Sequence, residues 1–305
     1  MKDLINIQVL LQWGQTFLEK GFFNHLQSAN KTDKEFFNAI QSDVRLEVSI
    51  LLAHVLGITR SHLYAWPKQI VTESQKQEFE ALLSRRIEGE PIAYLVGHKE
   101  FWSLSLIVSD AVLIPRPETE LIVECALACI QKHGQNVRVL DLGTGSGAIA
   151  LALASERPHW EIVAVDKQEA ALDIAQKNAK NLAITNVSFY QSDWFSYFKL
   201  GSQPFNIIVS NPPYIGSKDI HLKHGDCRYE PKEALVAKEK GLQDLKYIIS
   251  KADAYLASKG WLILEHGCEQ ATVLREWMQR WQFSEINSFQ DLAGLDRVLQ
   301  GQKRG

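Results

Sequence analysis

The stretch V-R-V-L-D-L-G-T-G-S-G-A-I-A-L-A-L-A, residues 137–154, decides the fold that we predict for this chain. Its first six residues are typical of a buried β-strand, and the residues from Ala148 onward are typical of a helix. The three glycines between them let the backbone turn sharply, and the helix N-terminus offers unpaired N–H groups. Asp166 ends the next predicted strand, where its carboxylate is placed to hold a pair of ribose hydroxyls.

Two cofactors fit this glycine loop, and the loop alone does not rank them. Gly145-Ser-Gly-Ala-Ile-Ala can be read as the G-x-G-x-x-A of a dinucleotide site. Asp141 and the D-x-G-x-G-x-G spacing favour S-adenosylmethionine (AdoMet), because its cationic sulfonium and amino group suit a site rich in carboxylates. A tight strand-to-helix turn without a ligand is the third interpretation.

Short apolar segments alternate with helical patterns after residue 134. The strand candidates are V-R-V-L-D-L (137–142), E-I-V-A-V-D (161–166), V-S-F-Y (187–190), F-N-I-I-V-S (205–210) and W-L-I-L-E (261–265). Continuous apolar strands that alternate with helices indicate a parallel sheet covered on both faces. We therefore predict an α/β fold for this part of the chain.

A second motif, Asn211-Pro212-Pro213-Tyr214, directly follows the strand F-N-I-I-V-S. The two prolines fix φ and remove two backbone donors, and the Asn211 side chain adds an acceptor. A planar amino group needs two acceptors, here the Asn211 side chain and the Pro212 carbonyl, and Tyr214 can cover its flat face. These contacts would prepare an amide or aromatic amine for methyl transfer from a sulfonium by positioning rather than by strong base catalysis. A rigid turn is the alternative, which the nearby glycine loop disfavours.

The first ninety or so residues are predicted to form helices. Residues 44–56 carry a broad apolar face that ends before Gly57, a natural C-terminal cap. Thr72 with Gln75 three residues later resembles a capping box that begins another helix. The segment Q-V-L-L-Q-W-G-Q-T-F-L is also predicted to be helical, although Gly14 weakens its pattern. Because strand signals are weak in these residues, we predict a small helical bundle.

The pattern changes at residues 101–114, which are rich in β-formers and predict a hairpin. The following P-R-P-E-T-E suits the first turn of a helix. We therefore expect three parts: a helical bundle at residues 1–90, a linker with a β-hairpin at residues 91–115 and an α/β domain at residues 116–305.

Length and composition limit the class of protein. The 305 residues suggest two domains at ~100–200 residues each, and 46% apolar with 23% charged residues excludes a disordered or fibrous chain. A formal net charge of -3 gives no global basic field for DNA. Four cysteines form no disulfide framework, the N-terminus lacks a signal-peptide core, and no apolar run reaches the ~20 residues that cross a bilayer. We expect a cytoplasmic protein that binds neither DNA directly nor membranes.

With both motifs in place, the chain resembles the release-factor glutamine methyltransferases. These class I AdoMet-dependent enzymes methylate the side-chain amide of glutamine in the Gly-Gly-Gln loop of peptide-chain release factors. The glycine loop and Asn-Pro-Pro-Tyr are shared by several methyltransferase families, whereas I-P-R-P-E-T-E (114–120) combined with D-L-A-G-L-D-R-V (291–298) is more specific. Further matching stretches are P-I-A-Y-L-V-G (91–97), Y-E-P (229–231) and L-E-H-G (264–267). The resemblance covers nearly the whole chain.

The resemblance implies a class I methyltransferase (Rossmann-like) fold with a doubly wound sheet, a small N-terminal helical-bundle domain and a β-hairpin linker. The glycine loop would cradle the methionine part of AdoMet, Asp166 would hold the ribose, and Asp193 with Trp194 would contact adenine. The residues that would bind AdoMet are Gly143, Thr144, Gly145, Ser146, Gly147, Asp166, Asp193, Trp194 and Asn211. No metal is implied.

The resemblance also assigns the substrate pocket. Asn211, Pro212, Pro213 and Tyr214 would bind the glutamine, with Asn211, Pro212 and Tyr214 as the catalytic residues. The helical N-terminal domain would help to grip the release factor, and methylation would modulate translation termination. We expect the enzyme to be a monomer.

Three other functions were weighed against this one. Nucleic-acid amino-methylation on adenine or guanine is the first alternative, because Asn-Pro-Pro-Tyr serves that chemistry too. The charge of -3 and the lack of an evident target-recognition domain disfavour it. An NAD-dependent oxidoreductase leaves Asn-Pro-Pro-Tyr unexplained. A non-catalytic release-factor or ribosome-binding module is disfavoured by the intact Asp141, Asp166 and Asn211.

Overall fold

The computed structural model describes residues 5–28, 44–130, 137–223 and 225–305. The chain divides into two units. The helical unit comprises residues 1–97 with 223–229, and the sheet unit comprises residues 98–222 with 230–305. The division into residues 1–90, 91–115 and 116–305, with a role for each part, stays a prediction.

Helices pack around one apolar core in the described part of the helical unit. They are α1 (Ile7–Ser28), α2 (Val44–Leu56), α3 (Arg60–Ala65), α4 (Glu73–Ile87) and α5 (Ile92–Val96). Leu52 from α2 and Phe79 from α4 are fully buried in this core. The capping box is present: Thr72 Oγ1 accepts from the N–H of Gln75 at 3.3 Å, and Gln75 Oε1 accepts from the N–H of Thr72 at 3.0 Å.

Two close contacts hold α4 against its neighbours. A Cβ added at Gly14 of α1 would lie 2.9 Å from the Phe79 ring, so glycine allows α1 to approach α4 closely. Arg86 of α4 donates to both carboxylate oxygens of Glu47 on α2, at 2.9 and 2.8 Å. Both side chains of this pair are largely buried, and a two-point contact of this kind fixes geometry as well as charge.

A seven-stranded sheet lies at the centre of the sheet unit in its described part. Its spatial order is β10-β11-β9-β6-β3-β4-β5. The strands are β3 (Arg138–Leu142), β4 (Glu161–Asp166), β5 (Val187–Gln191), β6 (Phe205–Ser210), β9 (Leu256–Glu265), β10 (Ser284–Gln290) and β11 (Asp296–Gln302). The first five of these are parallel, whereas β10 and β11 pair antiparallel at one edge. The predicted parallel sheet is confirmed; β10 and β11 were not predicted.

Helices cover both faces of this sheet. They are α6 (Glu120–Cys129), α7 (Ala148–Glu156), α8 (Glu169–Asn181), α10 (Gln243–Ala252) and α11 (Ala271–Arg280), while the short helix α9 (Lys232–Leu235) lies in the segment that joins β6 to α10. Successive residues of a strand point to opposite faces, so in β3 Val139 packs with Ala150 of α7 and Leu140 packs in the other core with Ile249 of α10. Burial on both sides explains why the strands are continuous apolar runs.

A β-hairpin precedes the sheet, as predicted, but its position differs. β1 (His98–Phe101) pairs antiparallel with β2 (Leu104–Ile107), so the hairpin begins before the predicted residues 101–114 and ends earlier. Trp102 and Ser103 form the turn with φ of +52° and +60°. Two positive φ values in a two-residue loop match the twist of a hairpin, but these residues lack the Asn-Gly signal that would have located it.

Smaller elements complete the sheet unit. The two-residue strands β7 (Ile215–Gly216) and β8 (Val236–Ala237) pair in parallel, and an irregular turn at Lys238–Gly241 leads into α10. None of the helices in the described residues combines the length and apolar character required to cross a membrane.

Candidate active site

The loops that follow the parallel strands lie together at the carboxyl ends of those strands. Asp166 ends β4, Asp193 follows β5, Asn211 follows β6, and Glu265 ends β9, while the glycine loop follows β3. The strand order reverses between β3 and β6, since β4 and β5 lie on one side of β3 and β6 lies on the other. Ligands of open α/β sheets bind at the carboxyl ends of strands beside such a reversal.

The glycine loop is held in one conformation by backbone hydrogen bonds. The N–H groups of Gly143 and Thr144 donate to the same carbonyl of β4 at 2.9 Å, and the N–H of Gly147 donates to the Thr144 carbonyl at 2.8 Å. Gly143, Gly145 and Gly147 have φ of +74°, +56° and +86°. Residues with a Cβ rarely adopt these values, so the turn itself requires glycine.

Two carboxylates support this loop. Asp166 accepts from the N–H of Gly145 and from the N–H of Gln168, each at 2.9 Å. Asp141 is fully buried, and its Oδ2 accepts from the Thr144 hydroxyl at 2.7 Å. Burial raises the pKa of Asp141 to about 7, against the hydrogen bonds that its carboxylate accepts from the Thr144 hydroxyl and from the backbone of Ala150. Asp141 therefore fixes the start of the loop and of the helix that follows it.

Trp194 and Asp193 occupy different positions after β5. Trp194 is half-buried with φ of +52°, and its ring lies 3.5 Å from where a Cβ of Gly143 would be. A hydrogen bond links the Trp194 side chain to Asp244 on α10. The ring is thereby held beside the glycine loop, where it can stack on a flat heterocycle. Asp193 is exposed and pairs with Lys167 at 2.9 Å.

These loops surround a pocket of about 610 Å³, within the range of small-molecule sites. The predicted site residues in its wall are Gly143, Thr144, Gly145, Ser146, Asp166, Asp193, Trp194, Asn211 and Pro213. Carboxylates suit the cationic sulfonium and amino group of AdoMet, an acidic strand end suits its ribose, and an indole ring suits its adenine. The residues present therefore fit this cofactor.

Three predicted site residues are not part of the pocket wall. A Cβ at Gly147 would meet Leu151 and Ala175 at 3.0 and 3.2 Å, so Gly147 serves the packing of α7 against α8. Pro212 is buried, and the Tyr214 hydroxyl donates to Glu265. No hydrogen-bond donor reaches the Pro212 carbonyl within the described part of the chain.

A chain of hydrogen bonds orients the side chain of Asn211. Its Nδ2 donates to Thr119 Oγ1 at 3.1 Å, and the Thr119 hydroxyl donates to Glu265 Oε2 at 2.6 Å. The Tyr214 hydroxyl donates to Glu265 Oε1 at 3.0 Å. Thr119 and Glu265 are 4% and 1% exposed. Because Nδ2 is bound to Thr119, Oδ1 of Asn211 is left to accept from a ligand.

The backbone of the Asn-Pro-Pro-Tyr motif is held from the other side. Gln270 donates through Nε2 to the Tyr214 carbonyl at 3.0 Å and accepts from the N–H of Gly267 at 2.9 Å. Gly241 packs against the same carbonyl, with φ of +88°. A Cβ added at Gly241 would lie 2.0 Å from the Tyr214 oxygen, which leaves no room for any side chain.

We expect Gly241→Ala to destabilise the protein and to displace the motif. The clash involves backbone on both sides, so overpacking of ~1–3 kcal/mol adds to ~1–2 kcal/mol for a left-handed residue. Gly201→Ala is the matched control, because Gly201 has φ of +85° and no atom within 4 Å of the added Cβ. Thermal unfolding and methyl transfer are the measurements. Equal losses of stability in the two variants would contradict the clash.

The predicted site residues lack three that the structure places there: Thr119, Asp244 and Glu265. The sequence predicts for Thr119 only a place in a helical first turn, although it lies in I-P-R-P-E-T-E, part of the more specific family resemblance. Asp244 gave no signal, because only the packing of α10 brings it to Trp194. The sequence places Glu265 near a strand end on the active-site side, where structural hydrogen bonding is an equally good interpretation, so Glu265 is not among the predicted site residues.

Comparisons with known proteins agree with this fold and site. A family model described as a methyltransferase domain matches residues 133–301, and one described as a PrmC N-terminal domain matches residues 34–97. The crystal structure of a methyltransferase from Pyrococcus furiosus shares the fold, with a TM-score of 0.50 and 19% identity over 73% of this chain and 98% of that one. The sheet order and the cofactor pocket define a class I AdoMet-dependent methyltransferase.

Two curated relatives specify the family. The release factor glutamine methyltransferase of Aliivibrio fischeri is 49% identical over 258 residues, which cover 85% of this chain and 90% of the relative. That of Escherichia coli is 49% identical over 257 residues, covering 84% and 91%. The chain belongs to the family of release factor glutamine methyltransferases, and its cofactor is AdoMet.

Proposed function

We propose that this enzyme methylates the side-chain amide nitrogen of the glutamine in the Gly-Gly-Gln loop of peptide-chain release factors, and thereby modulates translation termination. The observation that carries the proposal is the direction of the Asn211 amide, with Nδ2 bound to Thr119 and Oδ1 available as an acceptor. Membership of the family supports the choice of glutamine as the side chain that is bound.

The chemistry that the pocket has to perform is the preparation of a poor nucleophile. The nitrogen lone pair of an amide is delocalised into the carbonyl. Asn211 Oδ1 and the Pro212 carbonyl can accept the two N–H bonds, which orients the nitrogen and favours its pyramidal form. The buried carboxylate of Glu265 is bound to Thr119 and Tyr214, so positioning rather than proton abstraction is its contribution.

AdoMet supplies an electrophilic methyl group when it is bound. The loop residues 143–146 would hold its methionine part, Asp166 its ribose, and Asp193 with Trp194 its adenine.

A labelling experiment tests the proposal. The enzyme is incubated with methyl-labelled AdoMet and, separately, a release factor, DNA and ribosomal RNA, and the label is located by mass spectrometry. Label on the Gly-Gly-Gln glutamine is expected. Label on nucleic acid alone would show that the adenine or guanine alternative is right, and bound AdoMet without transfer would indicate a binding module.

The proposal extends to the protein partner, the oligomeric state and the cellular compartment of the enzyme. The enzyme acts as a cytoplasmic monomer on a protein, without binding DNA or membranes, and residues 1–90 help to grip the release factor. The net charge of -3 and the free thiols support this setting. Sedimentation at the mass of one chain, and release-factor binding that is lost without residues 1–90, are the expected results.

A further inference from the structure

The orientation of the Asn211 side-chain amide depends on Glu265, to which it is connected by two hydrogen bonds through Thr119. An ionised carboxylate only accepts hydrogen bonds, so the single hydroxyl hydrogen of Thr119 goes to Glu265, across 2.6 Å. Thr119 Oγ1 is then left to accept, and Asn211 Nδ2 donates to it at 3.1 Å. The other polar atom of that amide, Oδ1, is therefore turned away from Thr119.

We propose that Glu265, acting through Thr119, turns the oxygen of the Asn211 amide toward the substrate, and that this direction makes the pocket select an amide over a carboxylate. The inference rests on the proposed function. A glutamine amide offers N–H donors to Asn211 Oδ1, whereas a glutamate would set two acceptors against each other. Glu265 and Thr119 are positioning residues here, because they act through Asn211.

The hydrogen bonds from Asn211 through Thr119 to Glu265 are strong because the groups that form them are buried. Glu265 is 1% exposed and Thr119 is 4% exposed, so water does not compete for their hydrogen bonds. Tyr214 donates to the second oxygen of Glu265, so the same carboxylate also fixes the position of the Tyr214 side chain. One ionised group thus orients two members of the Asn-Pro-Pro-Tyr motif.

The charge state of Glu265 decides which group donates and which accepts in the hydrogen bonds between Glu265, Thr119 and Asn211. Burial raises its pKa to about 7, against the hydrogen bonds from Thr119 and Tyr214 and the positive charge of Arg297, and Glu118 raises it further. The neighbouring His266 has a lowered pKa because of its own burial. The ionised fraction of Glu265 therefore rises as the pH rises through about 7.

Protonation would reverse the chain of hydrogen bonds. A protonated Glu265 can donate to Thr119, which then donates its own hydrogen to Asn211. The Asn211 amide would turn its NH2 group toward the substrate, where it would face the NH2 of glutamine. The proposal thus predicts that kcat falls as the pH falls below about 7.

The first experiment measures kcat for release-factor methylation between about pH 6 and about pH 9, with AdoMet and release factor saturating so that binding does not limit the rate. The wild-type kcat is expected to fall toward about tenfold per pH unit on the acid side. Glu265→Gln, which cannot ionise, should lower kcat about tenfold at high pH and abolish this acid limb. Glu276→Gln, an exposed residue of α11, removes the same charge and should keep the limb.

The second experiment separates the hydroxyl from the shape of Thr119. Thr119→Val has nearly the same volume without the hydroxyl, and Thr119→Ser keeps the hydroxyl. Thr119→Val should lower kcat about tenfold with KM for AdoMet little changed, and Thr119→Ser should recover most of the loss.

Binding to the same variants tests the selection of an amide. Calorimetry, with S-adenosylhomocysteine bound to the enzyme, compares the affinity for a Gly-Gly-Gln release factor with the affinity for one carrying Gly-Gly-Glu. The ratio of the Kd for the Gly-Gly-Glu factor to the Kd for the Gly-Gly-Gln factor should fall about tenfold in Thr119→Val. Thr119→Ser should restore this ratio to the wild-type value.

The outcomes separate this inference from the proposed function. If the wild type leaves release factors unmethylated, the proposed function fails. If it methylates them while Glu265→Gln keeps the acid limb, or while Thr119→Val keeps the full preference for glutamine, the positioning role is wrong. Should Thr119→Val fail to fold, judged by its thermal unfolding, the pH profiles of the wild type and Glu265→Gln decide alone.

Discussion

Asn211→Ala is expected to lower kcat for release-factor methylation by ~10²–10³-fold, the loss that follows removal of one preorganised polar group from a reacting centre. The side chain of Asn211 lies in the pocket wall, with Nδ2 bound to Thr119 and Oδ1 available to the substrate. Alanine removes that acceptor, so the substrate amide nitrogen would lose one of the two contacts that we propose orient it. The measurement is single-turnover methyl transfer at saturating AdoMet.

Two controls make the Asn211 result specific. Asn287 is an exposed residue of β10, and Asn287→Ala should leave kcat and thermal stability unchanged. Calorimetry should show that Asn211→Ala still binds AdoMet, because the glycine loop and Asp166 are held by their own hydrogen bonds. A variant that retains more than about a third of wild-type kcat would exclude Asn211 as a catalytic residue.

Asp166→Ala is expected to weaken AdoMet binding by ~10–100-fold, with two physical causes. In the proposed site the carboxylate would accept from the ribose hydroxyls of AdoMet, and hydrogen bonds to charged groups contribute ~1.5–3 kcal/mol. It also accepts from the N–H of Gly145 at 2.9 Å, so its removal loosens the glycine loop. Isothermal titration calorimetry measures the effect.

The matched control for Asp166 is Asp173→Ala. Asp173 is an exposed residue of α8, and its loss changes the net charge by the same amount. Its AdoMet affinity should equal that of the wild type. Unchanged affinity in Asp166→Ala as well would refute the ribose assignment, whereas lost affinity in both would point to a long-range charge effect.

Much of the fold could be predicted, because the signals are local. The parallel strands appear as continuous apolar runs since both faces of the sheet are covered, as Val139 and Leu140 show in β3. The capping box at Thr72 and Gln75 involves residues three apart. In each case the residues that decide the structure lie within one element of the chain.

Other features escaped prediction because their causes are not local. Gly14 weakens a helical pattern, yet α1 runs through it because the absence of a Cβ lets Phe79 pack closely. The hairpin turn at Trp102 and Ser103 has two positive φ values without glycine or asparagine, so its position was wrong in the sequence analysis. The strands β10 and β11 alternate only partly in burial and gave no clear pattern.

The sequence by itself determined the class of enzyme. The glycine loop, Asp166 and the Asn-Pro-Pro-Tyr motif each follow a strand, and the strand order of any doubly wound sheet brings such ends together. Only the tertiary structure decided how the side-chain amide of Asn211 is oriented. Asn211 meets Thr119 across 92 positions of the chain, and Thr119 meets Glu265 across 146. Those hydrogen bonds form because the packing of α6 and β9 buries polar groups that must then satisfy one another, and no local pattern records that requirement.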